Sequence, residues 1–262
     1  MRNRALALSI FSVSILAAFG AHAEEQPVPV AAPEHIIPIP EPVQDKRDCF
    51  GTLYGKVASD YTFLDFAQQA ADDPVVQSGL AATCGKVTAD LWNSAEVDGG
   101  SYGNRGGGDE WDLTLKHNDQ VGSFVTEASM GLYLFDLGQG LGSLRDDMVG
   151  FQVDVARPIT KGRLTVAPYV HGSLFLGIAD INDVVIVRTG IRPSYRLTDK
   201  VTVGGDVAWS TFWTAGTRQT VARQTAFASY NAGAGYSFAV EFYDTNHTKP
   251  GLGFAFAKRL NW

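Results

Sequence analysis

Hydrophobic residues fall on every second position through most of the chain beyond residue 50. In the last segment, one face carries Leu252, Phe254, Phe256, Leu260 and Trp262, interrupted by Lys258. The other face carries Gly251, Gly253, Ala255, Ala257, Arg259 and Asn261. Successive side chains of a strand point to opposite sides, so this is a strand with one greasy and one small or polar face. Upstream, Tyr230, Ala232, Ala234, Tyr236 and Phe238 alternate with Asn231, Gly233, Gly235 and Ser237. Val201, Val203, Val207 and Trp209 alternate with Thr202, Gly204, Asp206 and Ser210. Val187, Ile191, Tyr195 and Leu197 alternate with Arg188, Gly190, Arg192, Ser194 and Arg196. The pattern predicts about twelve strands, at 50–60, 75–84, 86–95, 108–117, 121–135, 148–157, 162–174, 184–197, 200–212, 224–237, 239–246 and 251–262. The first three are less regular and the division of 224–246 is a choice, so the expected number is ten to twelve.

The connections alternate too. After even-numbered segments they are short: Gly85, 118–120, 158–161, 198–199 and the region of Phe238. After most odd-numbered segments they are long: 61–74, 96–107, 136–147, 175–183 and 213–223, with 247–250 the shortest of this set. Short turns at one end and long loops at the other are expected of a transmembrane barrel. No apolar run after Ala23 approaches the roughly 18 residues of a spanning helix. In hydrocarbon, an open sheet edge leaves backbone groups unpaired at several kcal/mol each, so such a sheet must close on itself. The expected fold is therefore all-β: a transmembrane antiparallel up-and-down β-barrel with short periplasmic turns and long extracellular loops. A soluble sandwich shows similar alternation, but Arg188, Arg192 and Arg196 on one face of one strand do not fill a core. Tyr195, Tyr236, Phe238 and Trp262 near segment ends suit interfacial girdles.

Residues 1–23 read as a secretory signal: Arg2 and Arg4, a mainly apolar stretch from Ala5 to Phe19, and Ala21-His22-Ala23 as the cleavage site. Residues 24–48 are proline-rich and lack glycine, which predicts an extended periplasmic leader. The barrel domain is expected over 49–262. Composition agrees: 28 Gly in 262 residues suits a turn-rich sheet, and 19% charged residues is a low share. A net charge of −7 argues against a nucleic-acid-binding surface. Loss of the two signal-peptide arginines takes it to −9.

If the greasy face meets lipid, the other lines a lumen. Its expected basic members are Lys56, Lys116, Arg188, Arg192 and Arg196; its acidic members are Asp90, Asp112, Glu127, Asp154, Asp206 and Glu241. Gln77, Trp92, Tyr133, Tyr169, His171 and Tyr243 share that face. The near-even count predicts weak ion selectivity. Three arginines on one strand, with Asp206 on the next, predict opposed charged walls and a candidate anion site. Paired charges plugging a closed barrel are the competing expectation.

Cys49 precedes the first strand and Cys84 closes the second at the same end. Antiparallel neighbours bring these ends together, so a disulfide is expected in preference to two free thiols. No G-x-S-x-G or H-E-x-x-H occurs, and His171 is expected to be a hydrogen-bonded wall residue. No enzyme, cofactor or metal is expected. Gly99-Gly100, Gly106 to Gly108 and Gly138 to Gly142 read as loops, and Asp98, Asp109, Asp146 and Asp147 lack calcium-loop spacing.

Trp262, preceded by Leu260, resembles the C-terminal assembly signal of Gram-negative outer-membrane proteins, with Ala257 where that signal usually carries glycine. Val57-Ala58-Ser59-Asp60-Tyr61-Thr62-Phe63, Val75-Val76-Gln77-Ser78-Gly79-Leu80 and the closing glycine-aromatic strand resemble the porin-like TorF-type family. The resemblance implies a pore-like barrel without catalytic residues. Together these readings predict an outer-membrane channel for passive diffusion of small polar solutes, exported by the Sec pathway. Expected partners are outer-membrane lipid and lipopolysaccharide, the barrel-assembly machinery and a small polar solute. A non-conducting anchoring barrel and, less favoured, an outer-membrane lipid hydrolase are the alternatives.

Overall fold

The computed structural model describes residues 49–63, 68–71, 74–97, 110–135, 147–178, 182–214 and 217–261; the expected signal and leader, and Trp262, lie outside them. The described residues form strands β1 (Cys49–Ala58), β2 (Tyr61–Phe63), β3 (Gln68–Ala71), β4 (Val75–Cys84), β5 (Val87–Glu96), β6 (Glu110–Val121), β7 (Phe124–Phe135), β8 (Met148–Ala156), β9 (Ile159–Lys161), β10 (Leu164–Gly177), β11 (Val184–Arg196), β12 (Val201–Thr214), β13 (Thr217–Gly233), β14 (Tyr236–Thr245) and β15 (Gly251–Asn261). Twelve of them make one antiparallel barrel, in the order β1-β4-β5-β6-β7-β8-β10-β11-β12-β13-β14-β15. β15 pairs back onto β1, with Gly51 opposite Leu260 and Val57 opposite Phe254, so the sheet has no free edge. β2 and β3 form a separate ribbon, and β9 extends the β8–β10 hairpin.

The wall is polar inside and apolar outside. Leu53, Leu80, Leu91, Leu113, Met130, Trp209 and Phe254 are exposed on the outer face. The alternate residues, among them Gln77, Asp90, Asp154, His171, Asp206 and Glu241, are buried inside. A protein surrounded by water would keep the opposite polarity; this arrangement suits a barrel surrounded by hydrocarbon. Within the wall, Tyr54 and Trp92 cluster with Ala81, Ala239, Ala255 and Ala257. Tyr133, Phe175, Val184, Ile186, Phe212 and Val221 form an apolar collar toward the long-loop ends of their strands. Tyr133 and Phe175 meet edge to face with centroids 5.3 Å apart.

Several boundaries differ from the sequence expectation, among them 159–161 and parts of 61–74, expected as connections and found as β9, β2 and β3; three others show why. Asn118 to Gln120 are strand, paired with Val125 to Glu127, and the chain reverses at Gly122-Ser123, where Gly122 has φ 62°. Polar residues there look like a turn because they lie beyond the apolar belt. The turn expected near Phe238 falls instead at Ala234-Gly235, with φ of 50° and 80°; two positive values define the hairpin turn whose twist matches its strands. A two-residue loop pairs residues of opposite parity, but the register shift between Asn231 and Gly233 restores it and sets Tyr230 opposite Phe238, so the alternation ran through this turn; β14 gains a 10-residue length sufficient to span. Residues 213–223, expected as a loop, are mostly strand: Trp213 pairs with Arg218 and Thr211 with Thr220. The outer face of this hairpin turns polar above the belt, which removed the strand signal.

Cys49 and Cys84 are directly opposed on β1 and β4 and joined by a disulfide across a sequence separation of 35 residues. Closing a loop of that length stabilises the fold by about 3–4 kcal/mol in the chain-entropy model. Denatured, unreduced protein is expected to show no reactive thiol, and the C49S/C84S double variant to unfold at lower temperature. Two titratable thiols in the native preparation would contradict the bridge.

Candidate functional site

The inner wall is built from side chains that reach over a strand to a partner beyond it. Tyr54 on β1 donates to Asp90 Oδ1 on β5 at 2.7 Å. Between them lies Gly79 on β4, where a Cβ would stand 2.2 Å from Tyr54 Cζ. Lys56 crosses Gly253 on β15 to meet Glu241 on β14 at 3.0 Å. Tyr169 on β10 passes Gly190 on β11 and donates to Asp206 on β12, 2.9 and 3.0 Å from its two oxygens. Tyr243 passes Gly251 and donates to Asp60 at 3.0 Å. At Gly79 and Gly251 a Cβ would fall within the tyrosine ring, at Gly190 it would also meet the Val207 carbonyl oxygen at 2.6 Å, and at Gly253 it would displace the lysine stem. The consequence is geometric: polar side chains lie flat along the wall.

The same wall carries a chain of charge pairs. Arg192 holds Asp154 through two bonds, at 2.7 and 3.0 Å, and its guanidinium stacks 3.6 Å from the Tyr169 ring centroid. His171 lies with Nδ1 3.7 Å from Asp154 and Nε2 2.6 Å from Ser173 Oγ. Asp206 accepts from Arg223 at 2.9 Å. Arg188, with 0% exposure, places its guanidinium 5.8 Å from the same Tyr169 ring. Lys116 approaches Asp90 at 3.4 Å. Bidentate arginine–carboxylate contacts fix orientation as well as charge.

The structure puts Lys56, Asp90, Asp112, Lys116, Glu127, Asp154, Tyr169, His171, Arg188, Arg192, Asp206 and Glu241 on the inward-facing positions of their strands. Arg196 has inward parity but stands exposed at the short-turn rim, so Arg188, Arg192 and Arg196 do not form one site. Cys49 and Cys84 sit bonded at that rim. Leu260 lies on β15, and Trp262 is outside the described residues. Among the described residues, no group of His, Cys, Asp or Glu could hold a metal ion.

Sequence reasoning missed Arg223, Tyr54 and Glu110. Arg223 fell in an expected loop, although Val221, Arg223 and Thr225 continue the buried phase of β13. With these included, the charges segregate. Asp90, Glu110, Asp112, Glu127 and Asp154 occupy β5 to β8, answered there by Lys116. Arg188, Arg192 and Arg223 occupy β11 to β13, answered by Asp206, and Arg192 reaches Asp154 where the two arcs meet. An acidic arc and a basic arc on different sides of one lumen set a field across it, to which ions and dipolar solutes respond.

No protein-family model matches the chain, and no curated protein matches its sequence. Solved structures do. The β domain of the Bordetella autotransporter BrkA is 12% identical over 83% of this chain and 100% of that one, with a TM-score of 0.50, and has the same barrel fold. A KdgM porin in complex with disordered oligogalacturonate is 7% identical over 82% and 99% of the two chains, with a TM-score of 0.48. A loop-deletion form of OmpT, an outer-membrane protein of Vibrio cholerae, is 10% identical over 82% and 98%, with a TM-score of 0.43.

Two variants probe the wall. Gly79→Val is expected to drive Tyr54 off Asp90 and destabilise the barrel by about 1–3 kcal/mol, read as a lower unfolding temperature in detergent. Glu241→Gln leaves the Lys56 ammonium without its carboxylate. The reversal potential in a KCl gradient is expected to move toward anion preference; an unmoved potential places the pair off any ion path.

Proposed function

We propose that the chain is an outer-membrane β-barrel channel for passive diffusion of small polar solutes. The observation that carries this reading is the direction of the inner side chains. They cross glycines to partners on the same stretch of wall, so their charges are held by the barrel without having to bridge its axis. A twelve-stranded barrel is wider than the eight-stranded kind that side chains fill. The opposed arcs give polar solutes an oriented path. The apolar outer belt and the resemblance to TorF-type porins support placement in a Gram-negative outer membrane. On this reading Sec exports the chain, the barrel-assembly machinery inserts it, and lipopolysaccharide and phospholipid surround it. It works without cofactor and carries out no reaction.

One observation favours a second reading, a closed barrel for anchoring or partner contact. His171 is 2% exposed and Arg223 3%, values of a well-filled interior. Planar-bilayer recording of refolded protein separates the two. The channel predicts discrete conductance steps in KCl, and proteoliposomes that swell in small polar solutes. A folded, disulfide-bonded barrel that inserts yet passes neither salt nor solute leaves the anchoring reading. Steady release of fatty acid from phospholipid would replace both with a hydrolase.

A further inference from the structure

The short-turn rim carries charge of the opposite sign to the chain as a whole, which is −7. The excess is concentrated on two neighbouring turns. Arg157, Lys161 and Arg163 stand exposed on the β8–β10 hairpin, and Arg196 and Lys200 on the β11–β12 turn, with Asp199 the one acid between them. None of the five is in an ion pair among the described residues. Elsewhere on this rim the basic groups are occupied: Lys86 pairs with Asp119 at 2.5 Å, and Lys258 lies 3.8 Å from the Tyr236 ring centroid.

The two turns are fastened to each other. Arg196 N donates to Arg163 O at 2.9 Å, and Arg163 Nη1 to Leu197 O at 3.0 Å. Thr198 Oγ1 accepts from the backbone nitrogens of Lys200 and Val201 at 3.2 and 3.0 Å, fixing where Lys200 departs. Large apolar side chains are interleaved with the basic ones: Ile159, Leu164, Tyr195 and Leu197 are all exposed. By strand parity Arg157, Ile159, Lys161, Leu164 and Tyr195 face outward, continuous with the apolar belt, while Arg163 and Lys200 stand on the turns themselves and Arg196, of inward parity, stands exposed at the rim beside them.

We infer that this patch binds the anionic phosphate headgroup of a phospholipid in the periplasmic leaflet. The basic groups sit at the depth where an apolar belt gives way to water, the depth of phosphates. The apolar neighbours at the same level supply a surface for the upper acyl chain. A free phosphate would use only the cations, and a soluble periplasmic protein would leave the apolar row in contact with lipid. Basic residues at a membrane surface attract anionic lipid over a Debye length, and a fixed cluster converts that attraction into a site.

The inference goes beyond the channel reading but requires the barrel to span a membrane. Full-length mature protein is refolded into phosphatidylcholine vesicles containing about 20% phosphatidylglycerol. Spin-labelled phosphatidylglycerol and phosphatidylcholine then report the lipid immobilised on the barrel. Preference for phosphatidylglycerol is expected on the order of tenfold. It is expected to collapse in R157Q/K161Q/R163Q/R196Q/K200Q and to persist in K86Q, a charge removed from another turn. Should the fivefold variant misfold, K161E/K200E, both on exposed turns, is expected to abolish the preference alone. An equal preference in wild type and patch variants overturns the site. Displacement of the label by inorganic phosphate at matching concentration overturns the lipid as ligand. A barrel that inserts and conducts but shows no preference sinks this inference alone, whereas one that fails to insert sinks the channel reading with it.

Discussion

Hydrocarbon offers no hydrogen bonds, and that single property of the solvent governs this chain. Each backbone N–H and C=O in the belt must find its partner within the protein, at several kcal/mol for each failure. The contact that satisfies the requirement is the pairing of β1 with β15, residues 50–58 against 253–261. It joins the two ends of the described chain and makes every other strand of the barrel interior to a continuous ladder. Without that seam the outer apolar belt would have no closed surface to cover, and the inner charges no enclosed space.

Closure then creates the problem that the inner wall solves. Half of all strand residues point inward, and many are charged. Stripping such groups of water is costly, and a buried ion pair is poor grounds for net stability. Here the charges stay partnered by lying along the sheet. Inward glycines at Gly79, Gly190, Gly251 and Gly253 are the counterpart of that arrangement, each leaving room for a side chain from the neighbouring strand. The glycine-rich composition thus has two separate causes, tight turns and a wall thinned where other residues must cross it.

The fold was legible because parity is a strong signal: every greasy residue of Val187 to Leu197 and Leu252 to Leu260 kept its side. Strand ends were less legible. Val121 and Gly233 end strands whose last residues lie outside the belt, where polarity no longer distinguishes strand from turn. The inner face could be named residue by residue, but its pairing could not. Lys56 meeting Glu241 depends on the β14-β15-β1 order, which exists only once the barrel has closed. Arg196 was grouped with Arg188 and Arg192 by spacing alone; height along the barrel separates it from them. Arg223 escaped because an outward face of Arg218, Thr220 and Gln224 hid the regular phase beneath it.

The covalent bridge at the first residue of β1 has a mechanical side. Any pull on the chain preceding Cys49 meets the barrel where its closing strand begins, and would tend to peel β1 from β15 one hydrogen bond at a time. Because Cys49 is tied to Cys84, the load passes directly into β4 and its hairpin with β5. The seam is thereby relieved of tension, and whatever tugs on the leading segment strains the interior of the sheet before it can unzip the joint.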